Sequence, residues 1–368
     1  MTLSAFLAEW NNTAPTILVH TSGSTGAPKP MLVEKRRMLN SARITCDFLG
    51  LNPGDTALLC LPLDYIAGKM VVVRSIERSL NLVEVKPSNH PLALTGNKET
   101  DDVLERGVTF AAMIPSQVFS TLQVSEERDR LLRIKCLIIG GGAITPELQQ
   151  ALNELTCYTS SRHRTTSSAQ PAHSPQGGGG GAIFSTYGMT ETLSHIALRP
   201  LNGEAATDWY TAFDSVTVTL DTDGCLTIDA PLVHDGILHT NDIAELHPDG
   251  RRFRIIGRKD NVICCGGIKL QIEKIEDALR PYIPHTFCIT KRPDEKFGEV
   301  PVMLIAAPTT NNQQPTTNNQ QPTEDITSAI NEHLDRYARP KAIIYVEDIP
   351  LTETGKISRK AAAILATT

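Results

Sequence analysis

Thr21-Ser22-Gly23-Ser24-Thr25-Gly26-Ala27-Pro28-Lys29, directly behind the apolar run Ile17-Leu18-Val19, is the stretch from which the rest of the chain can be read. Gly23 and Gly26 let the backbone turn tightly and aim its N–H groups inward. The hydroxyls of Thr21, Ser22, Ser24 and Thr25, with the Lys29 ammonium, surround that concavity with donors suited to phosphate oxygens. The GxxxxGK[ST] spacing of a Walker A loop is absent, and Lys29 stands beyond a proline rather than opening a helix. The pattern predicts a triphosphate site; a plain Ser/Gly/Pro surface turn is the competing explanation, and a second block is needed to choose.

That block is Ser185-Thr186-Tyr187-Gly188-Met189-Thr190-Glu191-Thr192, behind the strand-like run Ala182 to Phe184. Together the two blocks resemble those of the adenylate-forming superfamily, which includes acyl-CoA and aryl-CoA ligases, peptide-synthetase adenylation domains and luciferases. The resemblance implies that Tyr187 stacks on adenine, Thr190 contacts the α-phosphate and Glu191 holds Mg2+. Each role suits its residue: an aromatic face for a base, a hydroxyl for an oxyanion, a hard carboxylate for a hard cation.

Weaker segments extend the match. Gly141, Gly142 and Ala143, behind the buried run ending at Ile139, correspond to the wall of the adenine pocket. Thr240-Asn241-Asp242 resembles a TGD element in which Asp242 accepts the ribose hydroxyls, with Asn241 replacing the middle glycine. In Gly257-Arg258-Lys259-Asp260-Asn261, Arg258 corresponds to a ribose contact and Asp260 to the hinge between a large and a small domain. Gly266-Gly267, ahead of Ile272-Glu273-Lys274-Ile275-Glu276, corresponds to a wall for the pantetheine arm of CoA, although a β-turn explains the pair equally simply. Pro350-Leu351-Thr352-Glu353-Thr354-Gly355-Lys356 ends on the match to the superfamily's catalytic lysine, which reaches the substrate carboxylate and the α-phosphate.

The implied fold is α/β: a parallel-rich large domain, a small antiparallel β subdomain and a hinged α+β C-terminal domain, divided as 1–257 and 258–368. Local patterns agree with that division. Helical spacing runs from Val33 to Leu49 and from Ala67 to Ser79, and strand-like runs fall at Asp55 to Cys60, Leu82 to Val85, Phe110 to Met113 and Lys135 to Ile139. Thr145-Pro146 reads as a helix cap with proline at the first helical position. Asp214 to Ile256 changes to short strands joined by turns at Asp223-Gly224 and Asp249-Gly250. Two polar stretches, 158–181 with its five glycines and 308–323 with its repeated PTTNNQQ, read as surface insertions that cannot repay their ordering entropy. Only twenty residues precede Thr21, far fewer than in full-length members, so an amino-terminal subdomain is expected to be missing.

At 368 residues and 40% hydrophobic, the chain is long enough for two or more cored domains. A net charge of −6 with scattered basic residues argues against nucleic acid and anionic membrane as partners. The eight cysteines show no CxxC pair and no run of 18 apolar residues occurs, which points to a reducing cytoplasm and no membrane insertion.

The resemblance implies a ligase using ATP, Mg2+ and CoA to convert a small carboxylic acid first to an acyl-AMP and then to a thioester. Leu61-Pro62-Leu63-Asp64-Tyr65-Ile66-Ala67-Gly68-Lys69-Met70, with Arg74 beyond it, occupies the place of the acyl-pocket segment. It most resembles the o-succinylbenzoate:CoA ligases of menaquinone biosynthesis, as does Met113-Ile114-Pro115-Ser116-Gln117-Val118. On that reading Lys69 and Arg74 hold the substrate's ring carboxylate; a solvent face or an ion pair with Glu77 is the structural alternative. Another aryl or fatty acid, or a non-catalytic binding relic, are the competing functions.

Overall fold

The computed structural model describes residues 1–20, 30–160, 181–306, 324–352 and 356–367. They form two compact units. The first takes Met1–Thr219, Ile228–Leu238 and Leu246–Arg254; the second takes Leu220–Thr227, His239–Glu245 and the chain from Ile255 onward. The strands Ile237–Leu246 and Arg252–Arg258 each run from one unit into the other, so the change of unit and the expected boundary at 257–258 fall in the same strand.

In the first unit the strands lie in the order Asn81–Glu84, Thr56–Leu59, Phe110–Met113, Cys136–Ile139, Ala182–Gly188, His195–Pro200, Tyr210–Ala212. The first five are parallel, and the sheet turns antiparallel beyond Ala182–Gly188. Runs such as Ala57-Leu58-Leu59 and Phe110-Ala111-Ala112-Met113 are buried, as strands covered on both faces must be. Helices Lys35–Leu49 and Ile66–Arg78 pack against each other. Between them Arg43 Nε lies 3.1 Å from Glu77 Oε1, and Arg78 pairs with Asp47.

The helix expected from Val33 starts at Lys35. Val33 and Glu34 belong to the strand Pro30–Glu34, which pairs antiparallel with Thr16–His20, Val33 opposite Ile17, and these hydrogen bonds override the helical spacing. The Thr145 cap forms as expected, its Oγ1 accepting from Leu148 N at 3.2 Å. Its helix, Pro146–Ser160, continues three residues into the stretch read as an insertion; 161–180 and 308–323 lie outside the described residues.

The second unit is built on the strands Ile268–Gln271, Val262–Cys265, Gly298–Ala306 and Phe287–Asp294, joined in that order. Ile343–Val346 adds parallel to Gly298–Ala306. Helices Ile272–Leu279 and Glu324–His333 bring Ile272, Ile275, Leu279, Ile326 and Ile330 onto Ile263, Ile289, Met303 and Ile305, a core separate from that of the first unit. The seven cysteines whose side chains are described are all free, and no described helix is long and apolar enough to cross a membrane.

Candidate active site

In open α/β sheets, ligand-binding groups gather beyond the carboxyl ends of the parallel strands. Here the acyl-pocket segment follows Thr56–Leu59, Ile114-Pro115 follows Phe110–Met113, Gly140 to Ala143 follows Cys136–Ile139, and the Tyr187 block ends Ala182–Gly188. These are four adjacent strands, so segments far apart in sequence emerge at one sheet end. Buried Gln117 ties two of the loops, its Nε2 donating to Cys60 O at 3.1 Å and Ser88 O at 2.9 Å while its Oε1 accepts from Ile114 N. Gly141 has φ +80°, a conformation side-chain-bearing residues rarely adopt. Thr21, Ser22, Ser24, Thr25 and Lys29 lie outside the described residues, between His20 and Pro30, which pair across the hairpin.

The Tyr187 ring stands 5.1 Å from Phe253, nearly perpendicular, and 5.8 Å from Tyr210. Beyond it the chain reverses within a 3-10 turn, Thr190–Thr192. Thr192 closes this turn: its hydroxyl donates to Ser194 O at 2.7 Å and its oxygen accepts from Met189 N at 3.0 Å. Leu193, at φ +64°, carries backbone strain that the packing around it must hold. Gly188 is required because a Cβ there would stand 2.3 Å from Ser194 O and 2.4 Å from His195 Cα. Thr190 is buried and Glu191 half-buried on the turn. Glu191 offers a hard oxygen, and among the described residues no group of three His, Cys, Asp or Glu could cage a metal. A single hard carboxylate oxygen is the kind of ligand Mg2+ accepts, since it keeps its waters and takes other ligands from phosphates.

Neither Lys69 nor Arg74 lies on a solvent face, and neither pairs with Glu77, whose carboxylate serves Arg43 and Arg78. Lys69 Nζ donates to Leu18 O at 2.9 Å, tying its helix to the strand that leads into the Thr21 loop, and burial lowers its pKa. Arg74 is 2% exposed, and burial brings its guanidinium down to about 10, still charged at neutral pH. Its Nη2 donates to Ser194 Oγ at 2.5 Å, its Nε has no partner, and no carboxylate pairs with it among the described residues. Sequence reasoning missed Ser194 and its neighbour His195, although both directly follow the Tyr187 block; their partners lie far off in the chain.

The second unit carries the remaining candidates. Asp242 Oδ1 accepts from Arg258 Nη1 at 2.9 Å, and its backbone N–H is held by Thr240 Oγ1 at 3.1 Å. Asp260 accepts from Arg258 Nη2 at 2.9 Å and, through both carboxylate oxygens, from Asn241 Nδ2 at 3.3 Å. Asn241, the departure from glycine, thus bonds to the expected hinge residue. Gly266 and Gly267, at φ +58° and +83°, form a two-residue hairpin turn between the paired Cys265 and Ile268. Lys356 is held by Thr352 N donating to its carbonyl at 2.7 Å and its own N–H donating to Thr352 Oγ1 at 3.2 Å. Burial and, after it, the charge of Arg258 lower the Lys356 pKa, while Asp242 opposes them. Glu353 to Gly355 lie outside the described residues.

The first unit thus gathers the acyl-pocket segment, Gly140 to Ala143 and the Tyr187 block at one end of its parallel sheet, and the second unit sets Lys356 in the field of Asp242 and Arg258. The AMP-binding enzyme model matches residues 6–163, and the AMP-binding enzyme C-terminal domain model matches 285–356. A solved acyl-CoA synthetase (AMP-forming)/AMP-acid ligase II-like protein from Dyadobacter fermentans is 31% identical, with a TM-score of 0.59, covering 97% of this chain and 91% of its own. The chain belongs to the AMP-binding, adenylate-forming enzyme family. The 2-succinylbenzoate–CoA ligase of Listeria monocytogenes is 23% identical over 96% of this chain and 70% of its own length. The o-succinylbenzoate coenzyme A synthetase of Bacillus subtilis, solved with ATP and magnesium ion, shares the fold: TM-score 0.67, 20% identity, 93% of this chain and 68% of that one.

Proposed function

We propose that this protein is an ATP-dependent, AMP-forming acid:CoA ligase whose acid carries a second carboxylate, with o-succinylbenzoate the best-supported substrate. The observation that carries the dicarboxylate reading is Arg74, a fully buried cation with an unpartnered Nε and no carboxylate among the described residues. A buried charge left without a counter-ion is costly, and a substrate carboxylate is the anion that repairs it. Lys69 is less suited, since its ammonium already serves Leu18 O. The similarity to 2-succinylbenzoate–CoA ligases over most of the chain supports the same acid.

The chemistry is a problem of charge. A carboxylate oxygen of the acid attacks the α-phosphorus of ATP, the bond to the β-phosphate oxygen breaks, and pyrophosphate leaves with that electron pair. Lys356 and Thr190 stabilise the charge gathering on the α-phosphate, as fixed donors in a water-poor site do. Glu191 would hold Mg2+, which would supply further positive potential at the phosphates. Tyr187 and the Gly141-Gly142-Ala143 segment hold adenine, and Asp242 and Arg258 hold ribose. In the second half-reaction the CoA thiol loses its proton and attacks the acyl carbonyl, and AMP departs. Asp260 is the pivot between the two steps, and the Gly266-Gly267 turn borders the pantetheine arm.

The test is ATP–pyrophosphate exchange over o-succinylbenzoate, 4-oxo-4-phenylbutanoate, benzoate and fatty acids, followed by mass detection of the thioester. Preference for o-succinylbenzoate supports the proposal. Exchange driven best by a monocarboxylate identifies another acid, and no exchange with any acid identifies a binding relic.

A further inference from the structure

Four hydrogen bonds in series run from Arg74 to the helix Lys35–Leu49, and chemistry fixes their direction. Thr45 Oγ1 donates to Ser41 O at 3.1 Å, so towards His195 Nε2, also 3.1 Å away, it acts as an acceptor. His195 Nε2 therefore carries a proton. The other ring nitrogen, Nδ1, lies 3.1 Å from Ser194 Oγ. In a neutral ring Nδ1 then accepts the Ser194 proton, which leaves the Ser194 oxygen to accept from Arg74 Nη2 at 2.5 Å. A protonated ring would turn a donor on Ser194 and set a second positive charge beside Arg74. Thr45 is fully buried, His195 is 7% exposed with its ring 5.6 Å from Phe213, and Ser194 is half-buried, so these polar groups depend largely on one another for hydrogen bonds.

We propose that His195 is a positioning residue for the acid site: as the neutral Nε2–H tautomer it holds the Ser194 hydroxyl so that its oxygen fixes Arg74 with the Nε donor left for the substrate's second carboxylate. The inference rests on the dicarboxylate reading above and adds to it a residue that does not touch the substrate. Burial and the nearby Arg74 charge hold the His195 pKa well below its ordinary value, so the neutral form is the resident one. The device explains why a buried arginine can stand without a protein carboxylate. Its orientation is set by neutral groups that do not compete for its charge.

The test compares kcat/KM for o-succinylbenzoate with that for 4-oxo-4-phenylbutanoate, which lacks the ring carboxylate, in wild type, His195→Phe and His195→Gln. The discrimination ratio is expected to fall about tenfold in His195→Phe, chiefly through KM for the dicarboxylate. In His195→Gln it should return to within about threefold of wild type, because an amide can accept from Ser194 and donate to Thr45. An unchanged ratio in His195→Phe overturns the proposal, and so does an equal loss in both variants. A second readout needs no substrate: in protein labelled with 15N-histidine, the resonances absent from His195→Gln are expected to report protonated Nε2 and unprotonated Nδ1 at neutral pH. A protonated Nδ1 overturns the relay. Should wild type activate neither acid, the functional reading fails while the ring nitrogens still decide the relay; they also decide it should His195→Phe not fold.

Discussion

The guanidinium of Arg359 meets the carboxylate of Glu276 with both terminal nitrogens, Nη1 at 2.5 Å from Oε1 and Nη2 at 2.8 Å from Oε2. Glu276 Oε1 also accepts from Ile289 N, and Arg359 Nη1 donates to Ile289 O. One pair, with Glu276 buried and Arg359 a quarter exposed, thus fastens the helix that follows Lys356 to the helix Ile272–Leu279 and the strand Phe287–Asp294. Arg359→Met alone leaves the buried Glu276 carboxylate uncompensated and should cost about 3–5 kcal/mol; Glu276→Gln leaves only the quarter-exposed guanidinium and should cost less, and Glu276→Leu combined with Arg359→Met should recover much of the larger loss. Urea unfolding monitored on the second unit's transition checks this. Single variants within about 0.5 kcal/mol of wild type would show the pair to be dispensable.

Lys356 acts in adenylation and not in CoA attack on the proposed mechanism. Lys356→Ala should slow acyl-AMP formation by about a thousandfold, roughly 4 kcal/mol of barrier, while thioester formation from supplied acyl-AMP stays near normal. The charged ammonium is the active form. Since burial and Arg258 lower its pKa, adenylation should fall off on the alkaline side at lower pH than an ordinary lysine would give. Arg258→Gln removes a cation and should move that limb upward; Asp242→Asn removes the opposing anion and should move it downward. Single-turnover rates against pH read the limb, and a limb that stays put in both variants assigns it to another group.

The elements of the first unit are legible because buried parallel strands announce themselves as short apolar runs, and Gly141 to Ala143 and the Tyr187 block fall where such strands end. The Val33 boundary is not, since the hydrogen bonds pairing it to Ile17 are invisible to helical periodicity. Gly266-Gly267 stands out as a motif, but sequence alone does not separate its hairpin geometry from its suggested CoA role. The sequence singles out Arg74 but not its surroundings. Helical spacing puts Glu77 one turn away, whereas packing turns Glu77 to Arg43 and Arg74 inward to Ser194, 120 positions on. His195 and Thr45, 150 positions apart, meet only because the helix Lys35–Leu49 crosses that part of the sheet.

Asn241 stands where the family pattern has glycine and bonds to both oxygens of Asp260 at 3.3 Å. Both residues lie in the second unit, so the contact braces the turn at Arg258 to Asp260 from within that unit. Such long, exposed bonds contribute about 0.5–1 kcal/mol. Asn241→Ala should therefore leave the ratio of thioester formation to adenylation within about twofold of wild type. Separate rapid-quench measurements of the two half-reactions provide the comparison, and a larger change in the ratio would tie the contact to the turnover cycle.

Arg74 gives the most direct test of the acid. If its guanidinium meets the ring carboxylate in a desolvated pocket, Arg74→Met should cost roughly 2–5 kcal/mol in kcat/KM for o-succinylbenzoate. The loss for 4-oxo-4-phenylbutanoate should be much smaller, because the two acids share every other contact and differ only in the group that Arg74 meets. Arg74→Lys should rescue only in part, since an ammonium reproduces the charge but not the planar fork that reaches Ser194 and the substrate together. Lys69→Met separates structure from recognition. It removes the tie to Leu18 O, so it should lower the melting temperature and affect both acids alike. Equal losses for the two acids in Arg74→Met as well would make Arg74 a structural residue, and the acid would then have to be sought among monocarboxylates.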